Sequence, residues 1–152
     1  MNVLVDSSIW VGHFKQRNDR LVALLEAGAV ISHPYVVAEV ACGTPPSRRA
    51  IIDMLGELEQ APVATHDELL TLLEARQLHG RGCGLVDISL LASTLISERT
   101  WLWTADRRLE ALATEARTEL KQQAIGDGAI AVHRRVHVRY AGSDSALVVA
   151  FA

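Results

Sequence analysis

Four acidic residues, Asp6, Glu39, Asp87 and Asp106, occupy places where a chain ordinarily puts apolar or helix-capping residues. Asp6 ends the β-branched run Val3-Leu4-Val5, and Asp106 comes just past Trp101-Leu102-Trp103. Ligands of open α/β sheets bind beyond the carboxyl ends of the strands, so both acids stand at the edge where chemistry is done. Glu39 is flanked by Ala38 and Val40, with Tyr35, Val36 and Cys42 one helical turn away and no Lys or Arg within that turn. An ionised carboxylate embedded among such neighbours requires a cation, from elsewhere in the chain or from solution. Asp87 opens an apolar run that reaches Glu98, at the helix end where the dipole favours negative charge, and Leu90, Leu91 and Thr94 continue its face inward. Carboxylates gathered at one point repel one another unless a cation sits between them. Mg²⁺ or Mn²⁺ takes oxygen ligands and keeps waters, lowers the pKa of a bound water and neutralises charge developing on a phosphoryl oxygen. That is the chemistry of a nuclease or a phosphatase. Each acid also has a plainer use: Asp6, Asp87 and Asp106 as helix caps, and Glu39 as a solvent-facing residue of a half-buried helix.

The elements that must position these acids alternate in type. Val3–Val5 reads as a strand, and Ser7 or Ser8 is expected to cap a short helix through Phe14. Asn18 or Asp19 starts a second helix that stops at Gly28, and Ala29-Val30-Ile31 reads as a second strand. His33-Pro34 opens a helix that ends at Gly43. Ser47 restarts one carrying Ile51, Ile52, Leu55 and Leu58, and Pro62-Val63-Ala64 is expected to be a short strand. Asp67 caps a helix that gives out at Gly80, and Gly80-Arg81-Gly82-Cys83-Gly84 is a hinge or loop. A helix over Asp87–Glu98, the strand Trp101–Trp103 and a helix beginning at Asp106 follow. Short apolar runs alternating with helices predict an α/β fold with a central parallel sheet flanked by helices on both faces. Trp10, Trp101 and Trp103 are read as core. Residues 1–125 form this domain, and residues 126–152 form a C-terminal extension of unassigned role. Within it Ala129 to Tyr140 alternates loosely, as an edge strand, a hairpin or a loosely held tail would.

At 152 residues with 49% hydrophobic and 22% charged content, the chain has the composition of one globular domain. No apolar run approaches the roughly 18 residues that would cross a bilayer, and no basic leader precedes Asp6. Cys42 and Cys83 offer neither a disulfide framework nor a zinc motif, so a cytoplasmic protein with reduced thiols is expected. The net charge of −3 argues weakly against wholesale nucleic-acid binding, because a bound divalent ion changes the local sign. Lys15 and Lys121 are the lysines among 15 basic residues, and arginine, the better fork for phosphate, falls in pairs at Arg48–Arg49, Arg107–Arg108 and Arg134–Arg135. His66, His79, His133 and His137 lack metal spacing and are read as surface residues, and His13 and His33 have no assigned partner. The glycines of the 80–84 loop lack the G-x-G-x-x-G spacing of a phosphate cradle.

The sequence resembles the PIN-domain ribonucleases, and more narrowly the VapC-type toxins of bacterial toxin–antitoxin pairs. The likeness lies in Val5-Asp6-Ser7-Ser8-Ile9-Trp10, Val37-Ala38-Glu39-Val40, Gly84-Leu85-Val86-Asp87-Ile88-Ser89-Leu90-Leu91-Ala92-Ser93 and Leu102-Trp103-Thr104-Ala105-Asp106-Arg107-Arg108-Leu109, in that order over residues 1 to about 120. It implies a Mg²⁺- or Mn²⁺-dependent endoribonuclease that uses water to leave 5′-phosphate and 3′-hydroxyl ends. It further implies a cognate antitoxin as partner, one that inserts a basic residue into the acidic pocket, and a homodimer. By motif position Asp6, Glu39 and Asp87 would be metal ligands directly or through water, Asp106 would complete the acidic pocket, and Ser8 and Thr104 would orient ligands or water. Arg108 departs from the pattern, since many relatives carry an acid there, and a second metal would need more of its ligands from RNA phosphate.

Two other classes compete. A phosphatase of the haloacid-dehalogenase type wants Asp-x-Asp at the first strand, where Asp6-Ser7-Ser8 stands, and a receiver domain wants a lysine near the final strand that neither Lys15 nor Lys121 supplies. A non-catalytic binding module would use the acids as caps and show no Mn²⁺ affinity.

Overall fold

The computed structural model describes residues 1–97, 99–126 and 147–150. Strand β1 (Asn2–Val5) leads into α1 (Ser7–Lys15) and α2 (Asp19–Glu26). Strand β2 (Val30–Ile31) is followed by α3 (Pro34–Cys42), α4 (Arg48–Glu57), α5 (His66–Ala75) and α6 (Leu85–Ile96). Strand β3 (Thr100–Thr104), α7 (Arg107–Gly126) and β4 (Leu147–Ala150) complete the order. The sheet runs β2-β1-β3-β4. β1 lies parallel to β2 on one side and to β3 on the other, in the register Val3↔Val30 and Val5↔Trp103. β4 pairs antiparallel with β3, from Trp101↔Ala150 to Thr104↔Leu147.

Successive residues of a strand point to opposite faces, and Val3, Leu4, Val5, Leu102, Trp103 and Thr104 are all buried. Both faces are therefore covered, as the α/β expectation requires. α1 packs with α3 and α3 with α4, while α6 packs with α5 and α7, and β3 touches α1, α6 and α7. Trp10 and Trp103 are core, and Trp101 packs partly buried against it.

Some expectations are corrected. Asp6, not Ser7 or Ser8, occupies the cap position of α1. α5 starts two residues earlier than Asp67 implies: Thr65 caps it, accepting from the Glu68 N–H while Glu68 accepts from the Thr65 N–H, a reciprocal box. The Pro62–Ala64 stretch is not a strand; the pairing there is a lone parallel bridge, Ser32↔Gln60. Proline lacks the N–H that would extend that ladder. α6 starts at Leu85 rather than Asp87 and ends at Ile96. The final strand lies at Leu147–Ala150, while the Ala129–Tyr140 stretch, with His133, His137, Arg134 and Arg135, falls outside the described residues, as does Glu98. His33 is fully buried: its Nδ1 accepts the Tyr35 N–H as the α3 cap, and burial lowers its pKa.

Candidate active site

β1 lies between β2, the next strand in the chain, and β3, which the chain reaches from β2 by crossing to the other side of β1. Such a reversal opens a crevice past the strand ends, and Asp6, Thr104 and Asp106 lie at that edge. The Asp6 N–H donates to the Trp103 carbonyl at 2.9 Å, which carries the β1–β3 pairing one residue past Val5.

Asp6 is 4% exposed and sits at the cap position of α1, yet its side chain makes no capping hydrogen bond. Its carboxylate receives hydroxyls instead. Ser8 Oγ donates to Oδ2 at 2.6 Å, Thr104 Oγ1 to the same oxygen at 2.7 Å, and Ser7 Oγ lies 3.3 Å from Oδ1. Each of the first two hydroxyls is itself fixed from behind. Ser8 Oγ accepts the Ala105 N–H at 3.0 Å, and Thr104 Oγ1 accepts the Asp106 N–H at 2.9 Å. The proton of each hydroxyl is thereby directed at Asp6, and the turn after β3 is locked to the start of α1.

Glu39 is exposed rather than embedded, so the expectation of an apolar setting fails: α3 turns Val36 and Val40 inward and leaves Ala38 and Glu39 outward. It still joins the site, because Ser7 Oγ donates to Glu39 Oε2 at 2.7 Å. Ser7 thus stands between Asp6 and Glu39, a role that a hydroxyl beside an acid at a strand end could have signalled.

Asp87 occupies the third position of α6 and is half-buried, its Oδ2 accepting the Gly84 N–H at 2.8 Å. Glycine has no side chain to reciprocate, so this is half of a capping box. Burial raises the Asp87 pKa above its ordinary value; the Gly84 N–H opposes that shift, and the negative charges of Asp6 and Asp106 add to it. Asp106 does cap its helix, as its plainer reading holds: Oδ1 accepts from the Arg108 and Leu109 N–H groups at 2.7 and 3.2 Å.

Asp87 feels the charges of Asp6 and Asp106, and Ser7 ties Glu39 to the same edge. Among the described residues, however, no three His, Cys, Asp or Glu side chains close into a ready-made metal cage. The donor set still fits a hard ion, being oxygen throughout, and Mg²⁺ is ordinarily held by one or two carboxylates with waters and substrate phosphate supplying the rest. The apolar hollow of about 300 Å³ lined by Trp10, His13, Phe14, Leu25, Pro46, Ile51 and Met54 contains none of these acids. It lacks the groups that the chemistry needs.

The Gly80–Gly84 loop leads into α6, as expected. It is held against α7 by Arg81 Nη2, which donates to both Glu115 carboxylate oxygens at 2.8 Å. The Cys83 thiol within it is pushed up to about 11 by burial, then by Asp87 and Asp106, against the pull of Arg108 and Arg81.

A family model described as PIN domain matches residues 3–115. The chain is similar to the ribonuclease VapC32 of two Mycobacterium tuberculosis strains, CDC 1551 / Oshkosh and H37Rv. Each is 41% identical over 121 residues, which covers 80% of this chain and 98% of the relative. No solved structure gives a significant match.

Proposed function

The chain belongs to the PIN-domain family, and from that premise we propose that it is a Mg²⁺- or Mn²⁺-dependent endoribonuclease, the toxin of a type II toxin–antitoxin pair acting in the cytoplasm. The observation that carries this reading is the Asp6 carboxylate. It is buried at the cap position of α1, but it accepts the hydroxyls of Ser8 and Thr104 instead of a backbone N–H of the helix, and it lies beside two further acids. Burying an ionised group that does not serve the helix costs stability, and a cation bound at the edge would offset that cost.

Asp6 and Asp87 would hold the ion, with Glu39 and Asp106 contributing directly or through water. When bound, the ion supplies a water of lowered pKa and neutralises charge on the phosphoryl oxygens. Ser8 and Thr104 hold Asp6 in one orientation through their donated hydrogens, and Ser7 ties Glu39 to the same edge. In the reaction the water loses a proton as its oxygen bonds to phosphorus, the bond from phosphorus to the 3′ oxygen breaks, and that oxygen takes up a proton from solvent, leaving a 3′-hydroxyl and a 5′-phosphate. A cognate antitoxin that sets a basic side chain among these acids would block the site by charge, and a homodimer is the expected assembly.

The non-catalytic alternative draws on Asp87 and Asp106, both of which accept backbone N–H groups at helix starts. Asp6 does not fit it. The test is cleavage of a randomised single-stranded RNA pool in Mn²⁺ by the wild type, Asp6→Asn and Asp87→Asn, with thermal melts alongside. Both variants should keep their fold and lose cleavage, and chelator should silence the wild type. Cleavage that persists in both variants or in excess EDTA refutes the proposal.

A further inference from the structure

The acidic edge has a cation of its own in Arg108. Its backbone is fixed in the first turn of α7, where the Arg108 N–H donates to Asp106 Oδ1 at 2.7 Å. Its side chain lies flat on the backbone of Gly82. A Cβ at Gly82 would meet Arg108 Cδ at 3.0 Å and Nε and Nη1 at 3.3 Å, and Gly82 has a φ of +80°, a conformation that side-chain-bearing residues rarely adopt. The loop therefore presents a seat that glycine alone leaves open.

The seat does not discharge the guanidinium. Its hydrogen bond to the loop, Nη1 to the Gly82 carbonyl, is long at 3.4 Å and uses one of five N–H donors. Among the described residues no carboxylate pairs with Arg108, whereas Arg17, Arg49 and Arg81 pair with Asp19, Asp53 and Glu115. Holding an arginine in one place costs about 2 kcal/mol of rotamer freedom, more than so long a contact to a carbonyl returns. Asp87, Asp106 and Arg108 all act on Cys83, so the cation and the acids share one neighbourhood. The carboxylates of this edge would repel a polyanion, and an unpaired guanidinium fixed beside Asp87 and Asp106 gives it a point of attachment.

We propose that Arg108, seated on Gly82, contacts a backbone phosphate of single-stranded RNA and positions the strand against the acids. This rests on the nuclease reading above. The planar fork suits phosphate, and because one phosphate is like another the contact adds affinity without sequence preference.

The test is anisotropy titration of a labelled randomised single-stranded RNA pool in EDTA across a series of NaCl concentrations, with steady-state cleavage in Mn²⁺. Arg108→Ala should weaken binding about tenfold at low salt and reduce the slope of log affinity against log salt by about 0.7, one contact's worth on a single strand. KM should rise about tenfold with kcat within about twofold, the mark of a lost binding contact. Arg108→Lys should restore the slope. Gly82→Ala, which leaves Arg108 in place but fills its seat, should reproduce part of the loss, and Arg107→Ala should change neither quantity. If Arg108→Ala cleaves and binds with unchanged KM and slope, the contact is wrong and the nuclease reading stands. A slope lost equally in Arg107→Ala also overturns it, as diffuse charge. A wild type that neither binds nor cleaves RNA removes the nuclease reading and this contact together. Should Arg108→Ala fail to fold, the comparison of Arg108→Lys and Gly82→Ala with wild type decides: unchanged binding in Gly82→Ala overturns the proposal.

Discussion

Thr104→Val removes one hydroxyl from the site while keeping its shape, and its cost can be worked out from the contacts. Thr104 is fully buried, donates to Asp6 Oδ2 at 2.7 Å and accepts the Asp106 N–H at 2.9 Å. A hydrogen bond to a charged group contributes about 1.5–3 kcal/mol, and leaving its partner buried and unpaired adds to the loss. The Asp106 N–H sits near solvent and recovers water, so it adds less than about 1 kcal/mol. The total is about 2–4 kcal/mol, which lowers Tm by roughly 6–13 °C in a domain of this size. Urea unfolding in EDTA measures it. Thr104→Ser, which keeps the hydroxyl, should lose less than half as much. In an Asp6→Asn background the acceptor no longer carries charge, so the cost of Thr104→Val should shrink by about 1 kcal/mol or more. A Thr104→Val protein within about 0.5 kcal/mol of wild type, or strict additivity with Asp6→Asn, would refute the view that this hydroxyl stabilises a buried charge.

Three further outcomes follow from the same geometry. The Asp87 pKa is raised mainly by burial, so as pH climbs from the ordinary carboxylate value toward the raised one, the unfolded chain sheds this proton first and metal-free stability falls. Urea midpoints in EDTA should show that fall in wild type and a smaller one in Asp87→Asn; equal falls would contradict the assignment. Ser7→Ala should shift stability by under about 0.5 kcal/mol, since its partner Glu39 is exposed, but raise the half-saturating Mn²⁺ for cleavage about tenfold; an unchanged Mn²⁺ requirement would make Ser7 a bystander. With its thiol at about 11 and partly buried, Cys83 should resist iodoacetamide at pH 8 while exposed Cys42 reacts, as peptide mass mapping can check; faster labelling of Cys83 would show that its environment is misread.

The sequence made the α/β alternation and the edge position of Asp6 and Asp106 legible, because strand ends and helix starts are punctuated by local residue types. What it hid was direction. Glu39 looked embedded because its chain neighbours are apolar, yet a helix turns each residue by about 100°, and here Val36 and Val40 take the inner face while Glu39 takes the outer. Asp87 seemed to open its helix, but Gly84 supplies the first turn's open N–H and Asp87 reaches back to it from the third position. Ser7 stays hidden because a serine after an acid reads as a cap, and its link to Glu39 spans 32 positions of chain. Arg108 departs from the family pattern in the sequence alone, while its seat on Gly82, 26 positions earlier, is a contact that no local pattern encodes.

The contact between Thr104 and Asp6 joins residues 98 positions apart, across neighbouring strands that pair only when both exist. A growing polypeptide emerging from the ribosome therefore carries Asp6 and Glu39 long before it carries the segment that orients them. Until the third strand has docked, Asp6 lacks the Thr104 hydroxyl that fixes its carboxylate, so this edge takes its form only when β3 joins β1.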